Sequence, residues 1–319
     1  MREQLLRFGP QGSLIGTITQ PDADAVPSAP LGLVLFNSGV VGRVGPHRIN
    51  VKLARRIAEH GIPTIRFDLH GFGDSQHADN GADFNEQSVA DLRQAMDCLQ
   101  RQAGVQHFTL LGFCSGAIPS YLTAQTDPRV AAIVIYDAFA FTTVKSRLRY
   151  LWLRLRRHGF GLSAGSRLAR VLLRTLRTGL RRGRSMLSSS TAQDSGNQVW
   201  DSDAPPSRHQ IGRGLEQIVA NGARVLLLHA GDDFSAANYP GQARAALHLQ
   251  DLSGNLNERF LEPIDHAVTS LVAQRMFLDV VCEELMATAD ALRVQSHRTA
   301  DERKTRPARQ VSGSAATRV

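Results

Sequence analysis

Five short stretches, LGLVLF, IPTIRF, FTLLGF, VAAIVIY and RVLLLHA, are largely apolar, with a single proline, Pro63, near the start of the second. Runs of this length without polar alternation suit strands buried on both faces, and such strands belong to parallel sheets covered by helices. The segments between them have helical spacing. Leu53, Ala54, Ile57 and Ala58 share one face in INVKLARRIAEHG, with Gly61 just beyond as a stop, and Val89, Leu92, Met96 and Leu99 share another. Strand and helix therefore alternate, which predicts an α/β chain built on a mostly parallel sheet flanked by helices.

The third of these strands runs straight into GFCSGA. Gly112 and Gly116 stand two places before and two places after Cys114. That spacing matches the G-x-S-x-G strand-to-helix turn, in which small residues at −2 and +2 relieve crowding between strand and helix. Centring the motif on Ser115 would put Phe113 and Ala117 at those positions, so the glycines set the register on Cys114. A thiol at a helix N-terminus within reach of a histidine favours the thiolate, a good nucleophile. Ser115 is then expected to contribute its backbone N–H to an oxyanion hole.

A turn of this kind needs an acid and a histidine at later strand ends, in that chain order. VLLLHAGDDFS ends a buried strand in Asp232 and Asp233, and FLEPIDHAVTS carries His266 after the next. Asp233 is preferred over Asp232 because it lies further from the strand end. The second oxyanion donor is expected from the loop after LGLVLF, with Val40 following Gly39 as the choice. The same loop, NSGVVGRVGPHRIN, offers Arg43, His47 and Arg48 either to an anionic substrate or to solvent.

These residues together resemble the α/β-hydrolase superfamily across both core segments. RFDLHGFGDS is similar to the D-x-R-G-x-G-x-S loop of that superfamily, with His70 in place of Arg. The stretch N-x-G-x-x-x-R-V-G-P-H-R, RFDLHGFGDS and GFCSGA resemble more narrowly the serine aminopeptidase-like hydrolases, and within them the exosortase A system-associated group found with exopolysaccharide gene clusters. The resemblance implies hydrolysis of an ester, thioester or related acyl bond through Cys114, Asp233 and His266, with no cofactor or metal. Dienelactone hydrolases and polyhydroxyalkanoate synthases are similar in placing Cys within G-x-C-x-G, so acyl transfer by the same thiol is a second reading. A non-catalytic binding or scaffold protein on this fold is a third.

Charge divides the chain. Its net charge is +8, yet thirteen Lys or Arg and no acid lie between Asp137 and Asp194, so the remainder is net acidic. Two helices are expected there, one with Leu148, Leu151, Trp152 and Leu155 on a face and one with Leu168, Val171, Leu172 and Leu176. Arg167, Arg170, Arg174, Arg177 and Arg181 would form a stripe on the second. The expected organisation is a first core part over 1–138, a basic helical cap inserted at 139–214, a second core part over 215–294 and a disordered basic tail over 295–319. A basic cap suits a lid, an anionic substrate or carrier, or peripheral contact with an anionic membrane; charge alone would admit nucleic acid, but no binding motif or aromatic interleaving supports it and it is not expected as a partner. The N-terminus lacks the apolar core of a secretory signal, so a cytoplasmic location, peripheral to the inner membrane if the cap binds lipid, is expected. Cys98, Cys114 and Cys282 are odd in number and widely spaced, against a disulfide framework.

Overall fold

The structure, a computed structural model, describes residues 1–23, 30–78, 80–158, 206–231, 237–249 and 254–305. In chain order its elements are β1 (Arg2–Phe8), β2 (Leu14–Gln20), β3 (Leu31–Phe36), α1 (Ile49–Ala58), β4 (Thr64–Phe67), α2 (Phe84–Ala103) and β5 (His107–Phe113). There follow α3 (Ala117–Thr126), β6 (Val130–Tyr136), α4 (Val144–His158), α5 (Arg208–Ala220), β7 (Arg224–Ala230), α6 (Gln242–Leu247), β8 (Leu256–Leu261) and α7 (Leu271–Thr305). The eight strands form one sheet in the order β1-β2-β4-β3-β5-β6-β7-β8. β2 pairs antiparallel with both β1 and β4, and every later pairing is parallel.

The apolar runs occupy the centre of this sheet because both of their faces are covered. Phe108, Leu110, Ile133, Ile135, Val225 and Leu227 point into one core layer with residues of α2, α3 and α5. Leu111, Phe113, Val134, Tyr136, Leu226 and Leu228 point into the other, with residues of α1 and α7. β1 was not legible as a strand. Its side chains are mostly exposed, as expected at a sheet edge, and its sequence lacks the apolar run of its neighbours.

Two boundaries differ from the sequence expectation. α5 begins at Arg208, within the stretch assigned to the insert, and buries Ile211, Leu215 and Ile218 in the main core. Its start is set by a capping box between Ser207 and Gln210. The last helix runs through Thr305, past the residue 295 at which disorder was expected. A helix already nucleated propagates readily through Ala, Arg, Glu and Lys, all strong helix formers present in RTADERKT. The expected helix around Leu168 to Leu176 and the arginine stripe lie outside the described residues, as does 306–319.

The tightest point of the fold is the junction of β5 and α3. A Cβ on Gly112 would stand 2.6 Å from the carbonyl oxygen of Gly116 and 2.8 Å from Ser120 Oγ. One on Gly116 would press on the Phe36 ring at 3.0 Å. Gly112→Ala is therefore expected to cost about 1–3 kcal/mol of stability by overpacking, measured by denaturant unfolding; an unchanged midpoint would show that strand and helix can separate at no cost.

Candidate active site

Cys114 sits where that junction forces the backbone out of its usual range. Its φ is 51°, a left-handed conformation that non-glycine residues rarely adopt. Ser115 has no such torsion. The sharp turn is thus centred on Cys114, in agreement with the glycine spacing, and the thiol is held half-buried at the carboxyl end of β5.

His266 follows β8 and lies against this turn, packed over an aromatic bed. Its ring stacks on Tyr136 at a centroid separation of 6.5 Å and meets Phe113 edge-on at 6.1 Å. The loop that carries it is fixed from both sides: Tyr136 donates its hydroxyl to the Asp265 carbonyl at 2.8 Å, and the Asp265 carboxylate accepts from the Thr269 amide at 2.8 Å. Asp265 therefore supports the histidine loop.

The acid that meets His266 is Asp137. The imidazole Nδ1–H donates to Asp137 Oδ2. Asp137 directly follows β6, its carboxylate is 2% exposed, and it too has a left-handed backbone, with φ 51°. Its amide donates to the Leu228 carbonyl at 2.8 Å, which anchors it to β7. Asp232 and Asp233 lie outside the described residues. Sequence reasoning passed over Asp137, although VAAIVIYDA places it at a buried strand's carboxyl end, where a triad acid can stand.

The imidazole is pushed up to about 10, first by the hydrogen bond to Asp137 and next by Cys114, against an opposing effect of burial. At neutral pH His266 is accordingly an imidazolium between the Asp137 carboxylate and Cys114. The other two cysteines are buried and free; burial raises the Cys98 thiol and pushes Cys282 up to about 11, so neither is primed to react.

The loop after β3 reaches the same turn. Gly39 and Val40 form the tip of a tight reversal closed by two hydrogen bonds between Ser38 and Val41, of 2.9 and 3.0 Å. The amide hydrogen-bonded to the elbow is that of Gly39, which donates to Ser115 Oγ at 2.6 Å. Val40, expected as the oxyanion donor, is its neighbour, with a side chain 92% exposed. Asn37 holds the reversal in place by donating to the Gly39 carbonyl at 3.1 Å and accepting from the Leu69 amide at 2.9 Å.

Of the three residues offered to substrate, Arg43 is engaged within the protein. Its side chain bonds Asp68 and, at 2.7 Å, Asp74, while its amide donates to Asp68 at 2.6 Å. Asp68 is buried and is crowded by Gly42 and Gly73, where a Cβ would approach its carboxylate to 3.2 and 2.4 Å. This explains the glycines in both loops. His47 and Arg48 are exposed, both with left-handed backbones, at φ 47° and 60°.

Apart from the elbow, Ser13, His70 and Asp91 form a Ser–His–Asp set. His70 Nδ1 is 2.6 Å from Asp91 Oδ1, and its Nε2 is 2.9 Å from Ser13 Oγ. Ser13 is 8% exposed and its amide and carbonyl are both spent on backbone bonds, to Pro10 and Gln76. The set ties the first hairpin to α2, and His70 serves as a clasp.

The family profile described as the alpha/beta hydrolase fold matches residues 32–239. The chain belongs to that family. Among solved structures it is similar to an esterase from Pyrococcus furiosus, with a TM-score of 0.53, 11% identity and coverage of 90% of this chain and 91% of that one. An alpha-beta serine hydrolase homologue from Coxiella burnetii gives a TM-score of 0.52 at 15% identity, covering 89% of this chain and 97% of that one. The esterase domain of a Rhodothermus marinus protein gives 0.51 at 15% identity, covering 90% and 99%. At these identities the likeness is one of fold. No curated protein matches the chain.

The paired groups predict a titration. The His266 imidazole should titrate near 10 by NMR, and Asp137→Asn should bring it down toward the ordinary 6.5. Because the folded value is raised, the stability contributed by the pair is full below the unfolded value, about 6.5. It is lost as pH rises through about 10. The stability gap between parent and Asp137→Asn should therefore narrow over that window, and a gap that widens would contradict the pairing.

Proposed function

We propose that the chain is an acyl hydrolase that uses Cys114 as nucleophile, His266 as acid and base and Asp137 as the orienting carboxylate. The observation that carries this reading is one imidazole that bonds Asp137, packs on Phe113 beside the elbow and is raised by the neighbouring Cys114, at a turn whose strained residue is the cysteine. In the first step the thiolate attacks the acyl carbon, the bond to the leaving oxygen or sulfur breaks, and the His266 proton passes to the leaving group. In the second, neutral His266 takes a proton from water, the hydroxide attacks the thioester, and the Cys114–acyl bond breaks to restore thiolate and imidazolium.

The charge on the tetrahedral oxygen would be met by the Ser115 amide and an amide of the Gly39–Val40 turn. Ser115 Oγ now occupies the Gly39 N–H and would yield to that oxygen. Arg48, a cation, and His47, a hydrogen-bonding side chain, are exposed on the same loop and are offered to an anionic part of the substrate, such as a carrier-bound acyl group. The link to exopolysaccharide biosynthesis rests on the resemblance carried by N-x-G-x-x-x-R-V-G-P-H-R. If an alcohol or amine takes the place of water, the same intermediate makes an acyltransferase, which product analysis separates from hydrolysis. A scaffold with a decayed site would have no use for a strained Cys114 or for a partnered imidazole beside it.

Turnover of aryl esters and acyl thioesters tests the assignment. Cys114→Ala should abolish it, and His266→Ala should lower kcat/KM by at least about 100-fold. Asp137→Asn should also lower kcat/KM, while Asp233→Asn, which removes no group of the assigned triad, should leave it within about threefold of the parent. No turnover by the parent on any substrate, or a larger loss from Asp233→Asn than from Asp137→Asn, would overturn the mechanism or its acid respectively.

A further inference from the structure

α4 carries an apolar face that no other described residue covers. Val144 is 77% exposed, Leu148 63% and Trp152 54%, and the three are four residues apart. At about 100° per residue they span, with half-buried Leu151, an arc of roughly 100° on one side of the helix. The opposite side is seated on the core. Ser146 is buried, its carbonyl accepts from Asn238 Nδ2 at 2.8 Å, and Thr143, whose hydroxyl caps the helix, lies 2.9 Å from the Tyr239 hydroxyl.

Cations edge the exposed arc on both sides. By the same angular count Arg147 borders one margin and Arg156 the other, with Arg156 lying over the Trp152 ring at 5.3 Å from its centroid, while Lys145 turns its ammonium onto the Tyr239 ring at 4.4 Å. The helix has no acidic residue. An apolar centre with tryptophan at its margin and basic side chains that can extend alongside it is the arrangement of a helix lying in a lipid interface. No helix among the described residues is long and apolar enough to cross a membrane.

We propose that the outer face of α4 docks on an anionic lipid surface, with Val144, Leu148 and Trp152 entering the acyl boundary and Arg147 and Arg156 meeting lipid phosphates and acidic headgroups. Charge complementarity selects that occupant over a neutral apolar partner: the charged residues of the helix carry one sign only. The helix leaves the carboxyl end of β6, seven residues after Asp137, so docking would set the Cys114 end of the sheet toward the lipid. The inference does not depend on the reaction proposed for Cys114, because vesicle binding is read without turnover.

The test uses the full chain with vesicles of phosphatidylcholine alone or with phosphatidylglycerol added. The chain has two tryptophans, so Trp200→Phe leaves Trp152 as the reporter. Cosedimentation should be at least about tenfold greater with the anionic vesicles and should fall as salt rises. Trp152 emission should shift to the blue on binding. Leu148→Ser with Trp152→Ser should remove most of the binding without altering the circular dichroism spectrum, since both side chains are exposed. In the parent background Arg147→Gln with Arg156→Gln should lower anionic binding and spare the weak neutral binding. No anionic preference, unchanged Trp152 emission in the bound fraction, or equal binding by the serine variant would each overturn the proposal; the last would assign any binding to another surface.

Discussion

The close approach of β5 to α3 is the constraint on which the site depends. With a carbonyl and a hydroxyl standing less than 3 Å from where a Gly112 Cβ would be, a larger residue would force strand and helix apart, and the chain between them turns by taking Cys114 into the left-handed region. That strain, of order 1–3 kcal/mol, is carried by the packing of the two elements around it. Its consequence is chemical. The thiol is set at the sheet's carboxyl end, at the start of a helix, with the next amide in the chain beside it.

Everything else in the site is brought to this turn by strand ends. β6 delivers Asp137, the loop after β8 delivers His266, and the loop after β3 delivers the Gly39 amide. Each arrives with its own support: Leu228 behind Asp137, Tyr136 and Thr269 behind the histidine loop, Asn37 behind Gly39. Asp68 performs the same service one layer out. It gathers Arg43 and the two glycine turns into one buried cluster and so fixes how the β3 and β4 loops sit against each other.

Much of this was legible in the sequence because it depends on short-range rules. Largely apolar runs gave away the central strands, and paired glycines set the register at Cys114. The order of the chain placed His266 after the last strand. What escaped depends on pairings that sequence order does not encode. β1 is recognisable only by its partner β2, and Arg43 looked like a free cation until Asp68 and Asp74 stood beside it. Asp137 was missed because the carboxylates at two strand ends, after β6 and after β7, are equivalent on paper. Only the direction in which the His266 Nδ1 points distinguishes the one it meets.

The central claim is that the reactive atom is the sulfur of Cys114 and not the hydroxyl beside it. Mass spectrometry of the purified protein, mixed with an activated aryl ester and quenched in acid, tests this most directly. The account predicts a single acyl group on the peptide bearing Cys114, released by hydroxylamine at neutral pH as a thioester and absent from Cys98, Cys282 and the His266→Ala variant. An adduct on Ser115, or no adduct with any activated ester, would contradict it.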